Sequence, residues 1–234
     1  MANAWKIAKK EFRGYFHSPI APIVIAVFLL VTGWFFFSTF FLYNQASLRG
    51  YFQLLPLTLS FIVPAVTMRL FAEEYHLGSY EILMTFPVTP WEVILGKFVA
   101  AVGFCAVMIA PTLAYAVTVA FLGRLDAGPV VGGFLGAILL AALFSAIGLF
   151  SSSLTRNQII AFIIGMALCF FLTLIDKLLF FLPEALLPFC QSLGADHHFQ
   201  NIAKGVIDSR DLLYFVSLTF LALAGTRLVM EEKK

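Results

Sequence analysis

Polar residues gather in a few short intervals of this 234-residue chain, and the stretches between them are apolar and almost free of charge. Six such stretches stand out, at 20–43, 51–68, 98–121, 130–153, 158–175 and 212–226. Most reach the roughly 20 residues that a helix needs to cross a hydrocarbon core. The last is short, but Arg227 can snorkel, so its helix is expected to run from near Ser209 to near Met230. The pattern predicts an all-α polytopic membrane protein with six transmembrane helices, forming one domain over 1–234.

The polar intervals predict further elements. In 1–19 the basic residues Lys6, Lys9, Lys10 and Arg13 alternate at helical spacing with Trp5, Phe12, Tyr15 and Phe16, the pattern of an N-terminal interfacial helix. In 69–97, Gly78 breaks one helix and Ser79 can cap a second, short one from Tyr80 to Phe86, which Pro87 stops. Thr89 then caps the next helix, with Pro90 in its first position. In 176–209 the apolar run 178–189 is too short to cross and is broken by Pro183 and Pro188, so it reads as a re-entrant hairpin. Asp208 or Ser209 caps the last span, with Asp211 in its first turn. Inside the spans, Pro56, Pro64 and Pro111 each remove a backbone hydrogen bond that neighbouring groups must make good. Gly132 and Gly136, four apart, suit a close helix contact, within the subunit or along a dimer seam.

Composition sharpens the class. Hydrophobic residues make up 61% of the chain and charged ones 12%, about half the charged share of an ordinary soluble domain. The net charge of +2 is too small to imply a nucleic-acid partner. With both termini in the cytoplasm, Lys6, Lys9, Lys10, Arg13, Arg69, Lys97, Arg156, Arg227, Lys233 and Lys234 lie inside, and Arg49, Arg124, Lys177, Lys204 and Arg210 outside. That two-to-one split follows the positive-inside rule for a multi-pass protein of the inner (plasma) membrane. It places 69–97 in the cytoplasm and 176–209 on the outer side.

Candidate chemistry is sparse. The only Gly-Lys pair, Gly96-Lys97, lacks the preceding glycine of a phosphate-binding loop and is followed by Phe98, so no nucleotide cofactor is expected on this chain. The assigned span cores hold no Asp, Glu, Lys, Arg or His to bind a coupling ion, which favours a partner ATPase as the energy source. Asp196, His197, His198 and Cys190 invite a metal reading, but adjacent histidines on a helix diverge and no metal site is expected. Cys105 and Cys169 read as inert packing residues. Ser151, Ser152 and Ser153 offer hydroxyls without a histidine or acid at matching depth, which counts against an intramembrane hydrolase. A passive scaffold for a partner complex is the other alternative.

The segment carrying Arg69, Phe71, Glu73, Glu74, Gly78, Ser79, Glu81, Leu83, Pro87, Val88, Gly96 and Lys97 resembles the cytoplasmic loop of ABC type-2 transporter permeases. The stretch from His198 to Phe215 resembles the approach to the last span in permeases of the gliding-motility and nitrous-oxide-reductase-maturation type. The resemblance implies a coupling helix between spans 2 and 3 that docks on a separate ATPase, which carries the ATP and magnesium. It implies a second permease copy or a similar subunit as dimer partner, a possible outer-side auxiliary protein, no catalytic residue on this chain, and export. Its coupling residues would be Arg69, Glu73, Glu74, Gly78, Ser79, Tyr80, Glu81, Ile82, Leu83, Phe86 and Pro87. Tyr80, Ile82, Leu83 and Phe86 would serve as anchors in the ATPase groove, and the two glutamates would set the helix against basic residues of the partner. On the outer side the re-entrant elements would use Pro183, Pro188, His198, Phe199, Gly205, Asp208, Arg210 and Asp211.

Overall fold

The computed structural model describes residues 2–43, 47–85, 87–123, 126–178, 192–206 and 208–232. Its elements are α1 (Ala2–His17), α2 (Ile20–Tyr43), α3 (Arg49–Thr67), α4 (Arg69–Leu77), α5 (Ser79–Thr85), α6 (Pro90–Ile109), a 3₁₀ turn (Ala110–Thr112), α7 (Leu113–Leu122), α8 (Ala127–Leu154), α9 (Gln158–Leu178), α10 (Ala195–Ala203) and α11 (Ser209–Glu232). Six helical stretches are long and apolar enough to cross a membrane: α2, α3 with α4, α6 with α7, α8, α9 and α11. The chain is an all-helical, polytopic membrane protein.

α8 is the central post. Its small residues let neighbours approach until backbone and ring touch: a side chain at Gly133 would overlap the Phe52 ring of α3, and one at Gly148 would overlap Thr67. A side chain at Gly132 would overlap the Ile202 carbonyl of α10, and Gly136 faces Phe199. The Gly132 and Gly136 pair therefore packs against elements of its own subunit. In hydrocarbon such contacts hold helices together through close packing, since lipid tails are as apolar as the side chains. Leu140, Ala141, Phe144 and Leu149 on the same helix are fully buried. By contrast α2 turns Leu30 and Trp34 outward, 71% and 74% exposed, as a lipid-facing helix does.

One of the span prolines is compensated by an identifiable group. Pro56 cannot donate to the Phe52 carbonyl one turn earlier, and that oxygen instead accepts from Gln200 Nε2 of α10 at 3.3 Å. Pro111 sits in the 3₁₀ turn that separates α6 from α7. There Thr112 Oγ1 donates to the Ile109 carbonyl at 2.6 Å and meets the Tyr51 hydroxyl at 2.8 Å.

α1 lies against α6, with Phe12 beside Gly103 and Tyr15 against Phe104, ring centroids 4.9 Å apart. At Gly96 an added side chain would come within 2.8 Å of the Ala4 carbonyl and Ile7. Trp5 remains exposed, and Phe16, 46% exposed, still meets the Phe104 ring of α6 at 6.0 Å.

Candidate functional site: the α4–α5 segment and its buried lysine

The polar interval between the second and third spans folds as α4, a break and α5. Gly78 ends α4 in the left-handed region, φ 70°, where glycine carries no steric cost. Thr89 caps α6 through a complete capping box: its hydroxyl accepts from Glu92 N–H and the Glu92 carboxylate accepts from Thr89 N–H, with Pro90 at the first turn. Ser79 departs from its expected role. It is the first residue of α5 rather than its cap, and its hydroxyl points back to the Glu74 carbonyl at 3.5 Å.

The join between α3 and α4 is held by one side chain of α8. Ser152 Oγ donates to the Met68 carbonyl at 2.7 Å and accepts from the N–H groups of Phe71 and Ala72, both at 3.0 Å. The Phe71 amide lies in the first turn of α4, where an N–H has no carbonyl of its own helix to reach, so a serine from another helix supplies an acceptor. Ser151 and Ser153 donate to the Gly148 and Phe150 carbonyls of their own helix. All three hydroxyls are thus engaged in structural hydrogen bonds.

Lys97 is the main departure from expectation. The span core begins before Phe98, because α6 runs from Pro90, and the Lys97 side chain is 1% exposed. Its Nζ donates to Glu74 Oε1 at 2.6 Å and the Leu70 carbonyl at 2.7 Å, and it lies 3.4 Å from Glu11 Oε1. The ammonium also stands 5.1 Å from the centroid of the Phe71 ring. An ammonium has three protons, and two carboxylates and one carbonyl match them. One buried cation therefore ties α1, α4 and α6 together. Two carboxylates around one lysine leave a negative balance, and both keep some contact with solvent, at 21% and 19% exposure.

The expected coupling residues divide accordingly. Glu74 is turned inward to Lys97, away from any partner, whereas Glu73 holds Arg69 through two contacts of 2.8 and 3.2 Å on the half-exposed face. Tyr80 is 6% exposed and packs edge to face on Tyr75 at 4.7 Å, so it is an anchor within the chain and not a free one. Burial raises the Tyr80 phenol above its ordinary pKa, and burial does the same for Tyr15 of α1, so both stay neutral. Leu77, 68% exposed, with His76, Gly78, Ser79, Glu81 and Pro87 forms the open crown of the segment. The side chains of Ile82 and Leu83, and all of Phe86, lie outside the described residues.

At the opposite end of the bundle, α10 is pinned from several sides. Phe199 and Ile202 are fully buried against α8. His198 Nδ1 lies 2.6 Å from Asp211 Oδ1 and its Nε2 lies 3.2 Å from the Ser192 carbonyl, while the ring stacks on Tyr214 at 4.1 Å. Asp211 lies in the first turn of α11, as expected, and there it is also 4% exposed and turned to His198. Asp196 Oδ1 accepts from Gln200, and its other oxygen lies 3.4 Å from Lys177. Asp208 caps α11 by accepting from Arg210 N–H at 3.0 Å, and Gly205 adopts φ 86° just after α10. Arg210 is exposed. Pro183, Pro188 and Cys190 lie outside the described residues. Among those described, no three His, Cys, Asp or Glu side chains converge to hold a metal.

A polytopic helical bundle, joined at one end to a short two-helix hairpin, defines an integral membrane protein. The chain belongs to the ABC-2 family of transporter proteins, whose family model matches residues 5–202. It is accordingly a membrane permease component of an ABC transporter. A search of curated proteins finds no match.

Proposed function

We propose that this permease is driven by a separate ATP-binding subunit that docks on the crown of the α4–α5 segment, and that it works as an exporter in the inner membrane with both termini cytoplasmic. The observation that carries this reading is the Lys97 node. Glu74 and Leu70 of α4, Glu11 of α1 and Lys97 of α6 form one buried cluster beneath the crown, so a force on the hairpin reaches two further helices without a flexible joint. ATP and magnesium reside in the partner, and this chain contributes no catalytic residue. A second copy, or a similar permease, completes the path, and closure of two ATP-binding subunits moves the two hairpins together. The relation to the gliding-motility and nitrous-oxide-reductase-maturation permeases, and an auxiliary protein on the far side, rest on the His198 to Phe215 motif, whose histidine and aspartate clamp α10 to α11.

The test is ATP hydrolysis by the purified chain and by the complex it forms in its native membrane. The expected result is magnesium-dependent hydrolysis by the complex and none above background by the chain alone. Robust hydrolysis by the isolated chain overturns the reading.

A further inference from the structure

A second site lies at the end of the bundle remote from α4 and α5. There the start of α3, the start of α8 and the end of α10 enclose a cavity of about 270 Å³. Its floor is apolar, built on Leu48, Phe52 and Ala203, all nearly buried, with Pro129 and Val130 on one wall. Its rim carries Arg49 and Lys204, from elements far apart in sequence. Neither side chain has an ion-pair or hydrogen-bond partner among the described residues. The third charged group on the rim, Asp126, has one carboxylate oxygen taken up by Gly128 N–H at 3.3 Å as the cap of α8. Two cations and one carboxylate leave the cavity with a net charge of +1.

We propose that this cavity binds the phosphodiester headgroup of an anionic glycerophospholipid. Three features select that occupant. A phosphodiester carries one negative charge, equal and opposite to that of the rim, and Arg49 offers it a planar fork of donors with Lys204 as a second point charge. The floor is apolar, which suits the glycerol and the first acyl carbons and does nothing for free phosphate. The site also stands where two helices long and apolar enough to cross a membrane begin, and the ends of such helices meet the headgroup layer. A lipid held there would touch α3, α8 and α10 together and brace the packing of Phe52 against Gly133 immediately below it.

The experiment is native mass spectrometry of the full-length, delipidated chain in detergent, titrated separately with phosphatidylglycerol, phosphatidylcholine and inorganic phosphate. The wild-type chain is expected to retain phosphatidylglycerol in preference to phosphatidylcholine. Arg49→Gln with Lys204→Gln is expected to weaken that retention about tenfold or more. Arg156→Gln, a cation at the other end of the bundle, is expected to leave it unchanged. Lys204→Glu alone provides a second variant that alters only an exposed side chain and should also lower retention. Equal phosphatidylglycerol retention by all of these proteins overturns the proposal, as does equal retention of the two lipids by the wild type. Retention of inorganic phosphate without lipid preference assigns the cavity to a soluble anion and also overturns it.

Discussion

Replacing Lys97 with methionine keeps most of the side-chain volume and removes the charge from the node. Glu74 and Glu11 then face each other without a cation, and the Leu70 carbonyl loses its 2.7 Å donor. Removing one partner of a buried ion pair costs about 3–5 kcal/mol. The two carboxylates keep a fifth of their surface in contact with solvent, which moves the expected loss to the lower end, about 3 kcal/mol. For a chain of this length that corresponds to a fall in Tm of roughly 6–12 °C. Adding Glu74→Met to Lys97→Met replaces the close pair by two apolar side chains, a change that is often neutral or stabilising for buried pairs, and about 2 kcal/mol should return. Thermal unfolding of the purified proteins in one detergent, followed by circular dichroism, reads all four corners of the Lys97 and Glu74 cycle. The reasoning fails if Lys97→Met melts within a degree of the wild type, or if the two single losses simply add in the double variant, which would mean the residues do not interact.

Two further outcomes follow from the same geometry. Ser152→Ala removes the group that serves the Met68 carbonyl and two amides of α4, and should destabilise the chain by about 1–3 kcal/mol, seen as a lowered Tm, whereas Ser153→Ala, whose hydroxyl donates within its own helix, should cost less. Single cysteines at the exposed positions Ser79 and His197, introduced in a cysteine-free background, should react with a membrane-impermeant thiol reagent from opposite sides of sealed vesicles; reaction from the same side would contradict the even-span topology.

Much of the architecture was legible because membrane solvent leaves so little choice. Six apolar runs must be helices, and the punctuation at Gly78, at Thr89 with Pro90 and at Asp208 acts through local backbone chemistry, so it can be read from neighbours in sequence. The node could not be read that way. Lys97 meets partners 23 and 86 residues away, and at the border of an apolar run it looks like any interfacial lysine. Tyr80 was legible as a large side chain needing burial, but whether a partner or Tyr75 buries it is decided by how α4 and α5 fold on each other. Ser152 shows the same limit: three consecutive serines at a span end suggest hydrogen bonds within their own helix, and two of them make such bonds. The third reaches the join between α3 and α4, about 80 residues away in sequence. The signals in the sequence that point to the node are Gly96, which admits α1, and Lys97 itself, the one basic residue between positions 90 and 109.

The most direct test of the central claim is binding of the ATP-binding partner to the α4–α5 crown. Tagged permease carrying Leu77→Asp or Leu83→Ala, beside the wild type and the remote control Val131→Asp, is titrated with the partner at limiting concentration, and the retained fraction is measured. Leu77 is an apolar side chain left open at the tip of the hairpin, and loss of an interface anchor costs about 1–3 kcal/mol, or roughly one to two decades of affinity. The account predicts that loss for Leu77→Asp and for Leu83→Ala, and wild-type binding for Val131→Asp. Equal retention by all four proteins would show that the crown is not the dock.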